Sequence, residues 1–244
     1  MQSLLYPRFT FIYAILSILV IVADVMDLTW TYYLTKPMVL LVLFFFYRIQ
    51  TGAVENKTFR NLMLAGFLFS ALGDALLMFV EMGQPYFIGG LVAFLIAHIC
   101  YTAGFINDIF RSRPWNQHWG QLALSTLVVV YGAEFYILNR FSFDALAIPV
   151  MIYCAGITVM GVSAVMRDRT KNWSAYVTVC IGALFFIISD SLLATNLFVT
   201  KIPFAGELIL STYFLAQYLI GIGTLAKLKN QNLPLLEKAV TSEP

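Results

Sequence analysis

Eight apolar stretches, each long enough to cross a bilayer, follow one another along this chain with short polar joints between them. They confine it to one kind of fold. A helix needs roughly 20 apolar residues to span the hydrocarbon. Backbone groups in lipid must be paired within the protein, and segments of this length do that as helices. The candidates are residues 9–26, 30–47, 61–80, 86–107, 118–138, 145–166, 174–198 and 203–226. The second is the weakest, because Lys36-Pro37 stands near its start and its cleanest apolar run is only Met38–Tyr47. It reads as a short span or a broken helix. No soluble domain is left over: 11% of the residues are charged, against ~25% in soluble domains. The expected fold is all-α and polytopic, one integral membrane domain over 1–244. The first stretch lacks a small-residue cleavage site in a following polar segment, so it reads as a span and not as a removed signal peptide.

Charge placement supports eight spans. The chain has 15 Lys and Arg residues. With eight crossings, only Lys36, Arg140 and Lys201 fall on one side. Arg8, Arg48, Lys57, Arg60, Arg111, Arg113, Arg167, Arg169, Lys171, Lys227, Lys229 and Lys238 fall on the other, together with both termini. The positive-inside rule makes that second side cytoplasmic. Dropping the second span scrambles the bias. A bacterial inner membrane and an endoplasmic reticulum membrane both fit this composition.

Two aspartates lie inside apolar stretches, in segments that resemble each other. Gly66, Leu68, Phe69, Asp74, Leu76 and Leu77 match Gly182, Leu184, Phe185, Asp190, Leu192 and Leu193 at a constant offset of 116 residues. A weaker echo pairs Phe94–His98 with Tyr213–Gln217. Four spans separate the third from the seventh, so both cross in the same direction. The expectation is two parallel four-helix halves, 1–110 and 118–230, related by an axis along the membrane normal. A carboxylate in hydrocarbon costs ~2.5–3.5 kcal/mol on insertion scales and marks a functional position.

Counting along the helices places Asp74 and Asp190 in the outer half of the bilayer. His98 enters from the other side to mid-depth, Tyr213 and Gln217 lie at similar heights, and Lys36 marks the outer end of the second span. Six polar groups from different helices thus share one band, as in a polar pocket within a bundle. Each also has a structural reading. The aspartates could be neutral and bonded to a hydroxyl, His98 a satisfied interior residue, Tyr213 and Gln217 helix-bridging groups, and Lys36 a snorkelling cation. Asp24 and Asp27 close the first span and read as solvated, with Asp27 the nearer to a pocket mouth. Cys100, Cys154 and Cys180 read as buried packing residues. Nucleophile-elbow, zinc-protease and phosphate-loop motifs are absent from the sequence. With only two histidines, no metal site is expected, and no cofactor.

Two carboxyl groups in an apolar pocket can hold one proton between them at neutral pH, which supplies an acid and a base in one site. That suits hydrolysis of an ether-like bond through an oxocarbenium-like state. The rival readings are a proton-coupled lipid or small-molecule transporter and a non-catalytic lipid-binding protein.

The Ser-x-x-Gly-Asp at 70–74, Ser189-Asp190, Thr35-Lys36-Pro37, His98-x-x-Tyr101 and Tyr213-x-x-x-Gln217 together resemble the YhhN-like lysoplasmalogenase family, in order and spacing, over nearly the whole chain. The resemblance implies a membrane hydrolase. It would cleave the vinyl ether bond of 1-alkenyl-glycerophospho-ethanolamine or -choline to a fatty aldehyde and the glycerophospho head group. It points to Asp74 and Asp190 as catalytic residues. Lys36, His98, Tyr101, Ser189, Tyr213 and Gln217 would bind or orient the substrate. The implied partners are a lysophospholipid substrate and membrane lipids, with no nucleic acid and no protein partner.

Overall fold

A computed structural model of the protein describes residues 6–112 and 118–241, with side chains over 6–112 and 118–230. Arg113 lies outside the described residues, and Lys238 outside those with described side chains. Among the described residues are eight long helices: α1 (Pro7–Val25), α2 (Thr29–Gln50), α3 (Lys57–Leu77), α4 (Gln84–Arg111), α5 (Trp119–Asn139), α6 (Ala147–Val165), α7 (Trp173–Ala194) and α8 (Ala205–Thr241). Each carries a segment long and apolar enough to cross a membrane. The protein is an integral membrane protein.

Local chemistry explains several boundaries. Asn56 caps α3, its Oδ1 accepting the Phe59 N–H at 3.1 Å, and Asn172 caps α7 by accepting the Ala175 N–H at 3.0 Å. Such side chains satisfy backbone donors that have no partner inside the helix. Gly83, at φ 142°, turns the chain into α4 through a conformation that side chains disfavour. At the end of α6, the Val165 carbonyl accepts from Gln121 Nε2 at 2.7 Å and from the Tyr176 hydroxyl at 2.9 Å. That ties α5, α6 and α7 together.

The second span is neither short nor broken. α2 runs unbroken for 22 residues with Pro37 inside it. Proline removes one ladder donor. In a bilayer, however, unwinding would strand further backbone groups, and neighbouring helices tolerate the gap. The Thr35 hydroxyl donates to the Thr31 carbonyl at 2.6 Å one turn before the proline.

Seven of these helices close a ring: α3 packs on α4, α4 on α6, α6 on α7, α7 on α8, α8 on α1, α1 on α2 and α2 on α3. Helix α8 also touches α2 and α3, whereas α5 lies outside against α6. The most extensive helix pairs are α3–α4 and α7–α8. Gly66 faces Tyr101, and Gly182 faces Ile220. Gly73 and Gly90 bring their backbones together, while Ser189 Oγ donates to the Ile209 carbonyl at 3.0 Å.

Gly182 makes the α7–α8 contact possible. A Cβ there would sit 2.9 Å from the Ile220 nitrogen and 3.0 Å from the Ala216 oxygen, and backbone atoms cannot step aside. Gly182→Leu is expected to cost about 1–3 kcal/mol or more, read as a lowered unfolding temperature in detergent. An unchanged temperature would show that the helices separate freely.

A buried ion cluster joins three elements at the end of the bundle that carries the termini. Arg167, just after α6, donates from Nε to Asp108 Oδ2 on α4 at 3.0 Å, and Lys227 Nζ on α8 lies 3.7 Å from Asp108 Oδ1. The guanidinium also stands over the Phe105 ring at 5.3 Å. By sequence Arg167 and Lys227 read as loop charges. Each is only 2% exposed: Arg167 follows α6 directly, and Lys227 lies within α8, which continues past the last apolar residues.

Candidate active site

The other end of the bundle holds a cavity of about 200 Å³, lined by α1, α2, α3, α4, α7 and α8. Asp74 and Asp190 both line it. Each stands 17 residues beyond the first residue of its helix, about 25 Å along the axis. They are therefore closer to this end than counting along the sequence placed them, since α3 and α7 begin earlier than the apolar runs do. Asp190 lies within electrostatic reach of Asp74.

The two carboxyl groups are held differently. Asp74 is 3% exposed, and its Oδ2 accepts the Tyr213 hydroxyl at 2.8 Å. Tyr213 is itself wedged edge-on between the rings of Phe94 and Phe186. Asp190 Oδ2 accepts the Tyr153 hydroxyl at 2.5 Å and faces His98 Nε2 at 3.3 Å. His98 Nε2 is also 3.1 Å from the Tyr153 oxygen. Its Nδ1 is buried without a hydrogen-bond partner among the described residues. The Tyr153 hydroxyl thus stands between the His98 ring and the carboxylate, donating to Asp190 while hydrogen-bonded to Nε2.

Lys36 also lines the cavity, although it is only 8% exposed. It donates to the Tyr32 hydroxyl one turn earlier, at 2.8 Å, and its charge acts on Asp74 and Asp24. It therefore lies within α2, turned into the bundle, and does not mark the span's outer end. Asp24 reaches the cavity wall, while Asp27 is exposed in the turn at φ 52°. This reverses their expected order, because α1 ends at Val25 and the left-handed turn at Asp27 points its side chain outward. Ser189 lines the cavity while bonded to α8.

His98, Tyr101 and Gln217 stand one layer behind the cavity wall. The Tyr101 hydroxyl donates to Gln217 Oε1 at 2.8 Å, and Gln217 Nε2 donates to Ser70 Oγ at 2.9 Å, one turn before Asp74. This chain crosses from α4 through α8 to α3. It fixes the helix that carries Asp74, so Gln217 bridges helices as its position suggested. Tyr153 and Tyr32 were missed by sequence reasoning. The signal for Tyr32 is its i, i+4 spacing to Lys36, which puts both on one helix face. Tyr153 carries no such signal, because its partner lies on another helix. The cysteines are free and only partly buried, so they are less enclosed than packing residues would be.

The cavity thus brings together two carboxyl groups, each accepting from a tyrosine hydroxyl, with a buried lysine in the same wall. Among the described residues no group of His, Cys, Asp and Glu is arranged to hold a metal.

The sequence model of the YhhN family matches residues 31–224. The protein named Lysoplasmalogenase TMEM86A of Homo sapiens is 32% identical over 163 residues, covering 66% of this chain and 63% of that relative. Lysoplasmalogenase TMEM86B of Rattus norvegicus is 29% identical over 199 residues, covering 81% of this chain and 74% of that protein. The Lysoplasmalogenase of Mycobacterium tuberculosis is 27% identical over 166 residues, covering 67% and 60%. The chain thus spans somewhat under two thirds of the length of the Homo sapiens relative. No solved structure matches it.

Proposed function

The chain belongs to the YhhN family, and from that premise we propose that it is a lysoplasmalogenase, hydrolysing the vinyl ether bond of a lysoplasmalogen within the membrane. The observation that carries this reading is the meeting of Asp74 and Asp190 on one buried cavity with Lys36 in its wall. The names of the relatives supply the substrate class.

Vinyl ethers are cleaved by protonation of the β-carbon. The α-carbon becomes an oxocarbenium ion, water adds to it, and the hemiacetal collapses to an aldehyde and an alcohol. Asp74, which has one hydroxyl donor, is the proton source. Asp190, which accepts the Tyr153 hydroxyl, is the base. It faces the developing cation and takes the proton of the attacking water. Tyr213 orients Asp74. Lys36 attracts the phosphate of an ethanolamine or choline head group, which places the ether between the two carboxyl groups.

The test is purified protein in detergent with a 1-alkenyl-lysophospholipid in D₂O, the aldehyde being trapped at once and weighed by mass spectrometry. The expected product carries one deuterium on the carbon next to the carbonyl, because that hydrogen comes from exchangeable acid. No aldehyde, together with movement of intact lipid across vesicles, would make the protein a transporter and end this reading.

A further inference from the structure

The cavity has a second compartment. A narrow apolar cleft of about 70 Å³ runs between α4, α5, α6 and α7. It shares Leu77, Phe87, Phe94, Asp190, Leu193 and Leu197 with the polar chamber, so the two meet at Asp190. We propose that this cleft holds the alkenyl chain of the substrate, and that Val128 and Thr158 at its deep end set how readily long chains are accepted. The proposal rests on the reading above.

Three observations support it. First, the compartments divide by chemistry. Lys36, Asp24 and Asp74 line the chamber but not the cleft, whereas the cleft adds Leu91, Val128, Phe135, Val150, Ile157 and Ile187. Second, of the polar side chains that border the cleft, Tyr131, Ser191 and Tyr153 are engaged with the protein, which leaves the small Thr158 and Cys154 among apolar neighbours. The Tyr131 hydroxyl donates to Ser191 Oγ at 2.8 Å, Ser191 donates to the Ile187 carbonyl at 2.7 Å, and Tyr153 donates to Asp190. A ligand there meets hydrocarbon, with one carboxylate at the entrance. Third, the cleft runs from Leu197 and Phe198 near the end of the bundle past Asp190 to a deep end near the middle of the helices. Ile187 is one turn, about 5 Å, deeper than Asp190 along α7. Val128 and Ile157 stand near the middle of α5 and α6. A lysolipid whose phosphate sits near Lys36 would point its chain this way, as lipids around it do. The far wall is α5, which packs chiefly on α6, touches α7 through Tyr131, and leaves most of its other side exposed. The chain's tail can leave there into the bilayer. Gly132 lets α5 come close to α6 at this wall, because a Cβ on it would press on the Thr158 side chain.

Enlarging Val128 or Thr158 should therefore block long chains more than short ones. The experiment compares kcat/KM for hexadecenyl and butenyl lysophospholipids in the whole protein and in the variants Val128→Phe and Thr158→Phe. The expected result is a fall of about tenfold or more in the long-to-short preference, since each lost buried methylene is worth ~0.8 kcal/mol, about fourfold. A preference unchanged in active variants would overturn the proposal. A second measurement does not depend on turnover: a saturated hexadecyl ether lysolipid with a mid-chain diazirine, photolysed on the wild-type protein. Adducts on residues 124–135 or 150–158 support the cleft, and adducts confined to α1, α2 or α8 overturn it. Should the wild-type protein cleave neither vinyl ether, the functional reading fails by itself, and the labelling still decides where the chain lies.

Discussion

Asp74→Asn and Asp190→Asn should each lower the rate of vinyl ether cleavage by about 10²–10⁴-fold, the usual worth of a positioned acid or base, without unfolding the protein. Asparagine keeps the shape of the side chain and a carbonyl acceptor for the hydroxyls of Tyr213 and Tyr153, which donate to Oδ2 of the two aspartates. What it removes is the carboxyl group, to which the proposed mechanism assigns proton donation at position 74 and acceptance at position 190. Carbon protonation needs a strong, well-placed acid, and in the Asp74→Asn chamber the remaining carboxyl groups, Asp190 and Asp24, stand on other helices. An oxocarbenium ion in an apolar cavity needs a counter-charge, and the Asp190→Asn variant supplies only an amide dipole. Binding of the saturated ether analogue should change little in either variant, which separates a lost chemical step from a lost fold. Near-wild-type turnover in either variant would remove that residue from the mechanism.

The second large effect lies far from this chamber. Arg167→Ala should destabilise the protein by about 3–5 kcal/mol, because it leaves part of a buried carboxylate's compensation missing. Asp108 and Arg167 are both almost completely enclosed, at 3.0 Å from each other. Were the pair solvated, the loss would be at most ~1 kcal/mol. The same physics predicts a rescue. The triple variant Asp108→Leu, Arg167→Met, Lys227→Leu removes every charge of the cluster together and should recover most of the loss, since apolar packing of similar volume replaces buried ions at little cost. Thermal unfolding in detergent, with protease resistance as a second probe, reads both. A single variant as stable as the parent would mean that water reaches the cluster freely.

The class of fold was legible because a bilayer imposes one rule on every segment: stretches of apolar residues must satisfy their own backbone. The spans around Asp74 and Asp190 were placed within a few residues for that reason. The errors fell where a rule met a neighbour. Pro37 suggested a break, but helix unwinding has no good alternative in lipid, and α2 continues. Arg167 and Lys227 were read only as charges of the side that carries the termini, and counting charges could not show that both close on Asp108. Asp24, not Asp27, reached the cavity, since one left-handed turn residue decided which carboxylate faced inward.

What the chain determined by itself is its residence in the membrane, its eight apolar helices, and which helix carries each polar group, because these follow from hydrophobic length. That assignment alone leaves rotation about the axis free. Only packing settled that rotation: Tyr213 against Phe94 and Phe186, Gly182 against the α8 backbone, and Gln217 between Tyr101 and Ser70. That rotation turned Asp74, Asp190 and Lys36 toward one another, brought Tyr153 onto Asp190, and opened an apolar cleft beside them.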